Sequence, residues 1–285
     1  MPLTNNDLYI KARRTFKEAG ISAFSLEARL IVAFASGKTK EALLRDLNMY
    51  SSTEVEKKVD ELISRRLSGE PVAYITGNWE FYGVPLTITP DVLVPRADTE
   101  VLVETAVQLM NAKSSSIRIL DLCTGSGCIA LALAQCLPAS RLILLDKDPK
   151  ALSVARANIK QQDLDARAVC VEADITEPPP IRMGTFDLIV SNPPYIKTAE
   201  ILTLDASVRE HEPFMALDGG EDGLVFYRAI LQKWKQLLKP GGYIVFEIGE
   251  DQAADLEHLM NQSGFLSVNF VKDTAGIDRV VFGKL

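Results

Sequence analysis

The chain has 285 residues, of which 47% are hydrophobic and 24% charged, and its formal net charge at pH 7 is -7. That length exceeds one average domain, and the composition is ordinary for a globular protein with a packed core. The acidic charge argues against a protein that grips long stretches of nucleic acid, because such proteins present basic surfaces to the phosphates.

The first 70 residues are predicted to form a helical bundle. Four segments with helical apolar periodicity follow residues that can cap a helix N-terminus. These candidate caps are Asn5 or Asn6, Ser25, Thr39 and Ser51. Residues 1–70 contain no catalytic constellation, so packing or recognition of a partner is the role expected for this domain.

A different pattern runs from residue 71 to residue 95. The runs VAYITGNWEFYG and VPLTIT are rich in β-branched and aromatic residues, and Gly83 separates the two. We therefore predict a linker β-hairpin over residues 71–95. Asp98 or Thr99 can then cap a helix that ends near Met110 and opens the third region, residues 96–285.

From Ile117 onward, short apolar strands alternate with helices, which is typical of a parallel α/β sheet. The predicted strands are IRILDL, RLILLD, ARAVCVEAD, FDLIVSN, GYIVFEIG, LSVNFVK and RVVFG, and the predicted helices are 128–135, 149–161, 224–238 and 252–262. The connection between the last two strands is too short for a parallel crossover. The expected fold is therefore α/β, with a mainly parallel Rossmann-like sheet and an antiparallel C-terminal strand.

A glycine-rich turn joins the strand IRILDL to the helix that follows it. Gly125 and Gly127 allow the backbone to pass close to a ligand at the carboxyl edge of the sheet. The spacing also fits a dinucleotide-binding loop, and a tight turn without a ligand is a further alternative. Asp121 would lie close to a pyrophosphate there, whereas its carboxylate suits the ammonium and sulfonium groups of S-adenosylmethionine.

Two more acidic residues end the next predicted strands. Asp146 lies about twenty residues beyond the glycine loop, where a carboxylate accepts hydrogen bonds from ribose hydroxyls. Its alternative role is a turn or helix cap, which Asp148 could provide instead. Asp174 is placed to meet an adenine edge, with Ile175 as an apolar wall. A turn residue without a ligand is an equally good interpretation of Asp174.

The segment SNPPYI follows the fourth strand of the predicted sheet. Pro193 and Pro194 restrict the backbone and have no N–H, so the segment presents carbonyl acceptors beside the ring of Tyr195. The Asn192 side chain and the Pro193 carbonyl would hold the two hydrogens of a planar NH2 group, with its lone pair aimed at a sulfonium methyl. Asn192, Pro193 and Tyr195 are the candidate catalytic residues, and with Pro194 they are candidate substrate-binding residues. An ordinary Pro-Pro turn is the alternative.

In combination these motifs resemble the HemK/PrmC family of peptide chain release factor glutamine methyltransferases over nearly the whole chain. The matching segments are GEPVAYITGNWEFYG, VPRADTE, DLCTGSG, SNPPYI, EPFMALDGGEDGLVFYR and AGIDRVVFGK. Cys123 stands where the family commonly has glycine, Ala97 where it commonly has proline, and Ile175 takes the place of a tryptophan found near Asp174 in some members. The resemblance implies a methyltransferase fold and methylation of the glutamine amide nitrogen in the Gly-Gly-Gln motif of a release factor.

The resemblance and the motifs together define an expected S-adenosylmethionine site. Its residues are Asp121, Cys123, Thr124, Gly125, Ser126, Gly127, Asp146, Asp174 and Asn192. The resemblance further implies that the helical domain docks the release factor. The four cysteines lack Cys-x-x-Cys spacing, and no apolar run approaches the ~20 residues of a membrane helix. We therefore expect a cytoplasmic monomer with a protein substrate, without metal, membrane segment or stable nucleic acid complex.

Three other functions stay open on the sequence. A flipped base also offers a planar NH2, so a methyltransferase acting on an exocyclic amine of DNA or rRNA is the nearest alternative. A partner-binding protein that keeps the fold without catalysis is the second. A nicotinamide dehydrogenase on the same glycine loop is more distant, because Asp121 and the absence of an obvious proton-transfer residue disfavour it.

Overall fold

The computed structural model describes residues 2–111 and 116–285. Clustering of the chain gives two compact units. The first joins Met1–Asn78 with Asp205–His211, and the second joins Trp79–Leu204 with Glu212–Leu285. None of the helices formed by the described residues is long and apolar enough to cross a membrane.

The helices and strands are numbered in chain order. The helices of the described residues are α1 (Asn5–Glu18), α2 (Phe24–Ala35), α3 (Lys40–Arg45), α4 (Thr53–Leu67), α5 (Val72–Thr76), α6 (Glu100–Met110), α7 (Cys128–Cys136), α8 (Pro149–Gln161), α9 (Ala206–Arg209), α10 (Val225–Ala229) and α11 (Ala253–Gln262). The strands are β1 (Asn78–Phe81), β2 (Val84–Thr87), β3 (Arg118–Leu122), β4 (Arg141–Asp146), β5 (Ala168–Glu172), β6 (Phe186–Ser191), β7 (Leu238–Glu247), β8 (Leu266–Lys272) and β9 (Asp278–Lys284).

Two of the predicted helix caps in the first unit are displaced by one residue. Thr4, not Asn5 or Asn6, caps α1 in a reciprocal capping box with Asp7. Ser52, not Ser51, caps α4. The physical reason is that the two expected caps bind each other, since the Ser51 hydroxyl donates a 2.7 Å hydrogen bond to Oδ1 of Asn5. This bond ties the start of α1 to the segment before α4.

The remaining two caps have different outcomes. The Thr39 side chain accepts the Ala42 N–H at the start of α3, as predicted. The prediction for Ser25 is wrong, because α2 already begins at Phe24 and the Ser25 hydroxyl accepts a hydrogen bond from Arg13 instead. The helices bury their apolar stripes against each other, as amphipathic helices must. The largest fully buried side chains of this unit are Leu8, Phe16, Ile31 and Leu43.

The run VAYIT is a helix and not the first part of a hairpin strand. All five residues of α5 are buried, and Gly77 ends the helix in the left-handed conformation at φ 68°. Burial has overridden the β-propensity of the valine, isoleucine and threonine. The predicted hairpin exists but is shorter, since it consists of β1 and β2 joined at Tyr82 and Gly83.

The second unit contains a seven-stranded sheet with the order β5-β4-β3-β6-β7-β9-β8. The pairs β5–β4, β4–β3, β3–β6 and β6–β7 are parallel, and β9 runs antiparallel to both β7 and β8. The predicted fold class, including its antiparallel C-terminal strand, is confirmed. The strand order reverses between β3 and β6, which is where doubly wound sheets open a crevice for a ligand at the carboxyl ends of their strands.

The predicted single helix over 224–238 is wrong in detail. After α10 the chain widens into a π-helical turn, Ile230–Trp234, and then tightens into a 3-10 turn, Lys235–Leu237. Trp234 is completely buried, and its indole N–H donates a 2.8 Å hydrogen bond to the Ile175 carbonyl. The π-helical turn therefore ends at the residue whose large side chain is buried in the core.

Candidate active site

A cleft of about 920 Å³, part of it open solvent, lies at the carboxyl ends of β3, β4, β5 and β6. Its lining combines the glycine-rich turn, the ends of three strands and two segments from elsewhere in the second unit. The lining residues are Asp91, Val92, Leu93, Pro95, Arg96, Thr99, Cys123, Thr124, Gly125, Ser126, Cys128, Ile129, Asp146, Lys147, Asp148, Ala151, Ala173, Ile175, Asn192, Pro194, Pro213, Met215, Ala216 and Phe226. Concave and largely apolar, with a few convergent polar groups, the cleft has the character of a ligand site.

The glycine-rich turn is built from three residues with positive φ. They are Cys123, Gly125 and Gly127, at 59°, 54° and 83°. Gly127 does not line the cleft; a Cβ there would stand 3.0 Å from the Leu144 side chain, so this glycine permits close packing of α7 on the sheet. Burial, together with nearby carboxylates, raises the pKa of the Cys123 thiol, which therefore stays a neutral packing group on the cleft wall.

Asp146 holds the glycine-rich turn from the neighbouring strand. Its Oδ2 accepts the Gly125 N–H at 2.9 Å, and its Oδ1 accepts the Asp148 N–H at 3.1 Å. Burial raises the pKa of this carboxyl, while the two backbone hydrogen bonds oppose the shift. The Asp148 side chain caps α8, so the alternative role of helix cap falls to Asp148. Asp146 itself lines the cleft, and each of its two oxygens can accept a further hydrogen bond.

Asp121 lies below the turn and is not part of the cleft lining. It is completely buried, its Oδ2 accepts a 2.6 Å hydrogen bond from the Thr124 hydroxyl, and its Oδ1 has no hydrogen-bond partner. Burial raises the pKa of Asp121 to about 7, against the opposing effect of the Thr124 hydrogen bond. A buried carboxyl with a spare acceptor under the turn fits a cationic group above it better than a phosphate.

The residues that follow the third predicted strand differ in whether they line the cleft. Ala173 and Ile175 line the cleft and form an apolar wall, whereas Asp174 does not line it. Oδ1 of Asp174 accepts hydrogen bonds from the backbone N–H and the hydroxyl of Thr176 at 2.8 and 2.7 Å. Burial acts to raise the pKa of Asp174, but these two hydrogen bonds outweigh it and lower the pKa. In this geometry Asp174 orders the turn, and contact with a ligand stays a prediction.

The Asn-Pro-Pro-Tyr segment contributes two of its four residues to the cleft wall. Asn192 and Pro194 line the cleft, while Pro193 is buried and Tyr195 lies behind the wall. The Tyr195 hydroxyl donates a 3.3 Å hydrogen bond to Oε1 of Glu247. Acceptors and an aromatic ring are therefore held rigidly at the end of β6, with only Asn192 offering a polar side chain directly to the cleft.

Two glycines of the segment DGGEDG allow another loop to close on Tyr195. A Cβ on Gly219 would stand 2.7 Å from Cα of Tyr195, and one on Gly223 would stand 2.4 Å from its carbonyl oxygen. The Gln252 side chain donates a further hydrogen bond of 3.1 Å to the same carbonyl. The backbone of Tyr195 is thus clamped from two elements, a role for these glycines that motif spacing alone did not indicate.

Thr99, Glu247, Arg96 and Glu212 were not identified as site residues from the sequence. The Thr99 hydroxyl does not cap α6, contrary to one of the two predicted caps, and instead accepts a 3.4 Å hydrogen bond from Nδ2 of Asn192. Glu247 ends the apolar strand β7 at the same sheet edge, which is a signal that the sequence does contain. The guanidinium of Arg96 on the cleft wall forms a salt bridge with the buried carboxylate of Glu212.

The charges of the cleft favour a ligand that carries positive charge. Both cations of its described lining are already paired, Arg96 with Glu212 and Lys147 with Asp174 at 3.9 Å between Nζ and Oδ2. Asp146 offers free acceptor capacity on the wall. A pyrophosphate would find few uncompensated donors there, whereas an ammonium group and ribose hydroxyls would find acceptors.

Comparison with known proteins gives two matching family models. The model described as PrmC N-terminal domain matches residues 7–77, and the model described as methyltransferase small domain matches residues 97–210. The two matches fall on either side of the β1–β2 hairpin.

Curated relatives match over nearly the whole chain. The chain is 39% identical over 283 residues to the release factor glutamine methyltransferase of Caulobacter vibrioides, covering 99% of this chain and 97% of the relative. It is 36% identical over 275 residues to the release factor glutamine methyltransferase of Clostridium botulinum, covering 96% and 97%. Among solved structures, a methyltransferase from Pyrococcus furiosus matches with a TM-score of 0.51 at 18% identity, over 78% of this chain and 96% of that chain. This last likeness shows the fold alone.

Proposed function

The chain belongs to the release factor glutamine methyltransferase family, and on that premise we propose that it transfers a methyl group from S-adenosylmethionine to the side-chain amide nitrogen of a glutamine in a peptide chain release factor. The acceptor is the glutamine of the Gly-Gly-Gln motif. The observation that carries the proposal is that Asn192 lines the same cleft as Gly125 and Asp146. One cavity can therefore hold a methyl donor and a planar amide side by side.

The residues of this chain that would hold the cofactor lie on the cleft wall or directly below it. Asp146 would accept hydrogen bonds from ribose hydroxyls, and Ala173 with Ile175 would contact the adenine. The turn Cys123–Gly127 would pass under the methionine part, and the spare oxygen of Asp121 would be a buried acceptor below that turn that favours its ammonium group. Bound in this way, S-adenosylmethionine supplies a methyl group that its sulfonium already activates.

The Asn-Pro-Pro-Tyr segment would position the acceptor. The Asn192 carbonyl and the Pro193 carbonyl each take one hydrogen of the glutamine NH2, which leaves the nitrogen lone pair directed at the donor. The bound cofactor would supply the methyl group with its sulfur as the leaving group, and the amide nitrogen held by Asn192 and Pro193 would release one proton to solvent. Because positioning and electrostatics dominate such a transfer, a strong general base is not required.

The proposal also includes the first unit and the setting of the reaction. Residues 1–70 form the recognition domain that docks the release factor, and residues 71–95 link it to the catalytic part, 96–285. The substrate is a protein and no stable complex with nucleic acid forms. The enzyme acts as a monomer in the cytoplasm, where release factors work.

The experiment that tests the proposal measures tritium transfer from labelled S-adenosylmethionine to purified release factor, to rRNA and to DNA in parallel. Label in the release factor alone is the expected result, and an Asn192→Ala variant provides the matched control for background. Label confined to nucleic acid would show that the planar nitrogen is an exocyclic amine. Calorimetry without any S-adenosylmethionine binding would instead support a partner-binding protein that lacks catalysis.

A further inference from the structure

Arg96 and Glu212 form an ion pair at the wall of the cleft. Arg96 lines the cleft and its side chain is 41% exposed, whereas the Glu212 side chain is 1% exposed. Arg96 also begins a 3-10 turn, in which the Thr99 N–H donates a 3.2 Å hydrogen bond to the Arg96 carbonyl. Nδ2 of Asn192 donates to the Thr99 hydroxyl at 3.4 Å. The backbone of Arg96 therefore lies one turn away from the residue that contacts Asn192.

The buried carboxylate fixes the guanidinium without using all of its donors. Nη2 of Arg96 donates to Oε1 of Glu212, and this is the one hydrogen bond that the Arg96 side chain forms with the described residues. A guanidinium has five N–H donors, so most of them are available to a ligand. Oε2 of Glu212 has no hydrogen-bond partner among the described residues. Such an incompletely satisfied pair contributes little net stability, because well-packed apolar residues often stabilise a fold as well or better. A function of the exposed guanidinium explains the pair better.

The pairing determines which acceptor suits Arg96. The Glu212 carboxylate compensates the charge of the guanidinium, while the unused N–H groups keep their capacity to donate. A phosphate or a carboxylate ligand would bring a second negative charge close to Glu212 and would be repelled by it. A neutral carbonyl oxygen meets no such repulsion. The Arg96–Glu212 pair therefore favours a carbonyl of the substrate over an anionic group.

The proposed acceptor offers carbonyls at the corresponding place. Its glutamine follows two glycines, which have no side chains for an enzyme to recognise. Their main-chain carbonyls can be approached closely, since no Cβ shields them. The other cation of the described cleft lining is Lys147, which is paired with Asp174 and follows Asp146 at the end of β4. Arg96 is the cation linked through Thr99 to Asn192.

We propose that Arg96 is a specificity-determining residue, which donates hydrogen bonds to the main-chain carbonyls of the glycines before the acceptor glutamine, and that Glu212 orients its guanidinium. This inference rests on the proposed function and deepens it. The planar guanidinium presents several donors in a fixed geometry, so it can bind more than one carbonyl of an extended segment. A side chain on either glycine would hinder that approach.

The first test replaces the planar donor group and keeps its charge. Arg96→Lys should raise the KM for release factor by at least about tenfold, because a lysine lacks the fixed set of donors. The Kd for S-adenosylmethionine should not change. Arg228→Lys is the matched control, since Arg228 is 45% exposed, is paired with Asp222 and does not line the cleft. A wild-type KM for Arg96→Lys, or a raised Kd for S-adenosylmethionine, would overturn the inference.

A double variant separates substrate binding from stability. Removal of Arg96 alone would leave the buried Glu212 carboxylate without its partner, which destabilises a fold. Arg96→Met combined with Glu212→Gln removes both charges and should also raise the KM for release factor by at least about tenfold. Its melting temperature should stay close to that of the wild type. A wild-type KM for this double variant would contradict the proposal even if Arg96→Lys did not fold.

The second test changes the substrate. Release factors in which either glycine of the motif is replaced by alanine carry a Cβ beside the carbonyls. Wild-type enzyme should methylate at least one of them with a kcat/KM about 10²-fold lower than that for the natural motif, and Arg96→Lys should discriminate about tenfold less. Equal discrimination by the two enzymes, or no discrimination by the wild type, would overturn the inference. A wild-type enzyme that labels no release factor would instead overturn the proposed function, so the two failures are distinguishable.

Discussion

The main-chain N–H of Gly125 donates a 2.9 Å hydrogen bond to Oδ2 of Asp146, although the two residues follow different strands of the sheet. The turn that approaches the ligand and the carboxylate expected to bind its ribose therefore hold each other in place. Preorganisation of this kind lowers the ordering cost of binding, because the loop does not have to be fixed by the ligand.

Asp146→Ala should consequently weaken S-adenosylmethionine binding through two losses at once. The ribose hydroxyls lose an acceptor, and the Gly125 N–H loses its partner. Hydrogen bonds to a charged group contribute about 1.5–3 kcal/mol each, so a rise in Kd of at least about tenfold is expected in calorimetry. Asp146→Asn keeps one acceptor oxygen and should show a smaller rise. An unchanged Kd for Asp146→Ala would contradict this role.

Asn192→Ala should reduce methyl transfer severely while the fold stays intact. Removal of one preorganised hydrogen-bonding group from an active site lowers turnover by about 10²–10³-fold. The melting temperature should change little, because Asn192 stands at the cleft and its side chain makes one hydrogen bond to the described residues, a long 3.4 Å contact with Thr99. Single-turnover transfer to release factor measures the effect. Near-normal turnover would disprove the amide-positioning mechanism.

Asp121→Asn should change the pH dependence of stability. The pKa of Asp121 is raised to about 7 from the ordinary value of 3.8, so the folded state holds its proton more tightly than the unfolded state does. The stability from the protonated form is complete below pH 3.8 and is lost as the pH rises through about 7. Asparagine is neutral throughout. Without ligand, the variant should therefore be more stable than the wild type above pH 7, by on the order of a few kcal/mol.

Melting temperatures of both proteins, measured from about pH 4 to about pH 8 so that the range extends beyond the folded-state pKa of about 7, test this prediction for Asp121. The gap between variant and wild type should narrow as the pH falls. A gap that is independent of pH would show that Asp121 does not titrate in this range. The variant should also bind S-adenosylmethionine more weakly, because it lacks the negative charge that an ammonium group favours.

Cys123→Gly tests the backbone of the glycine-rich turn. Cys123 has a φ of 59°, a conformation that costs an L-residue roughly 1–2 kcal/mol. Cys123→Ala provides the matched control, since both variants lose the thiol and only glycine relieves the strain. The glycine variant should be more stable than the alanine variant by about 1 kcal/mol in chemical denaturation. If Cys123→Ala were more stable than Cys123→Gly, which is the normal order for right-handed helical backbone, the claim of backbone strain at Cys123 would be refuted.

Two exposed apolar side chains belong to a segment that contributes to the cleft wall, where the proposed function would bring the polypeptide that carries the acceptor. Phe214 is 58% exposed, and its neighbour Met215 is 43% exposed and lines the cleft. Their double replacement by alanine should raise the KM for release factor by about tenfold, since a lost apolar anchor costs at least about 1.4 kcal/mol. The Kd for S-adenosylmethionine should not change. Ile181→Ala is the control, because Ile181 is 92% exposed elsewhere on the second unit. An equal rise in KM for Ile181→Ala would contradict a specific role of Phe214 and Met215.

Much of the fold was predictable because it depends on local pattern. The strand ends at Leu122, Asp146 and Ser191 follow apolar runs, and their order along the chain requires them to share one sheet edge. The family and the fold class predicted from these motifs are confirmed. Helix caps were less accurate, since Ser51 and Asn5 prefer each other over their helices, a tertiary preference that spacing does not reveal.

The site was predictable where its residues lie in motifs, and not where residues distant in the chain meet. Asn192 and Glu247 are 55 positions apart in the chain and lie side by side only because β6 and β7 are neighbouring strands. Likewise, Asp121 was predicted from the sequence to contact the ligand. Its carboxyl instead lies below the glycine-rich turn, where it accepts a hydrogen bond from the Thr124 hydroxyl. Side-chain direction at a strand end depends on the register and packing of the sheet, which the linear pattern does not contain.

The central claim is that the amide held at Asn192 is the glutamine of a release factor. The most direct measurement is a mass spectrum of the tryptic peptide that contains the Gly-Gly-Gln motif, after incubation of unmethylated release factor with S-adenosylmethionine and this enzyme. The account predicts that the peptide gains one methyl group, that fragmentation places it on the glutamine side chain, and that Asn192→Ala sharply lowers the methylated fraction at the same reaction time. A peptide of unchanged mass with active wild-type enzyme, or a methyl group on another residue, would contradict it.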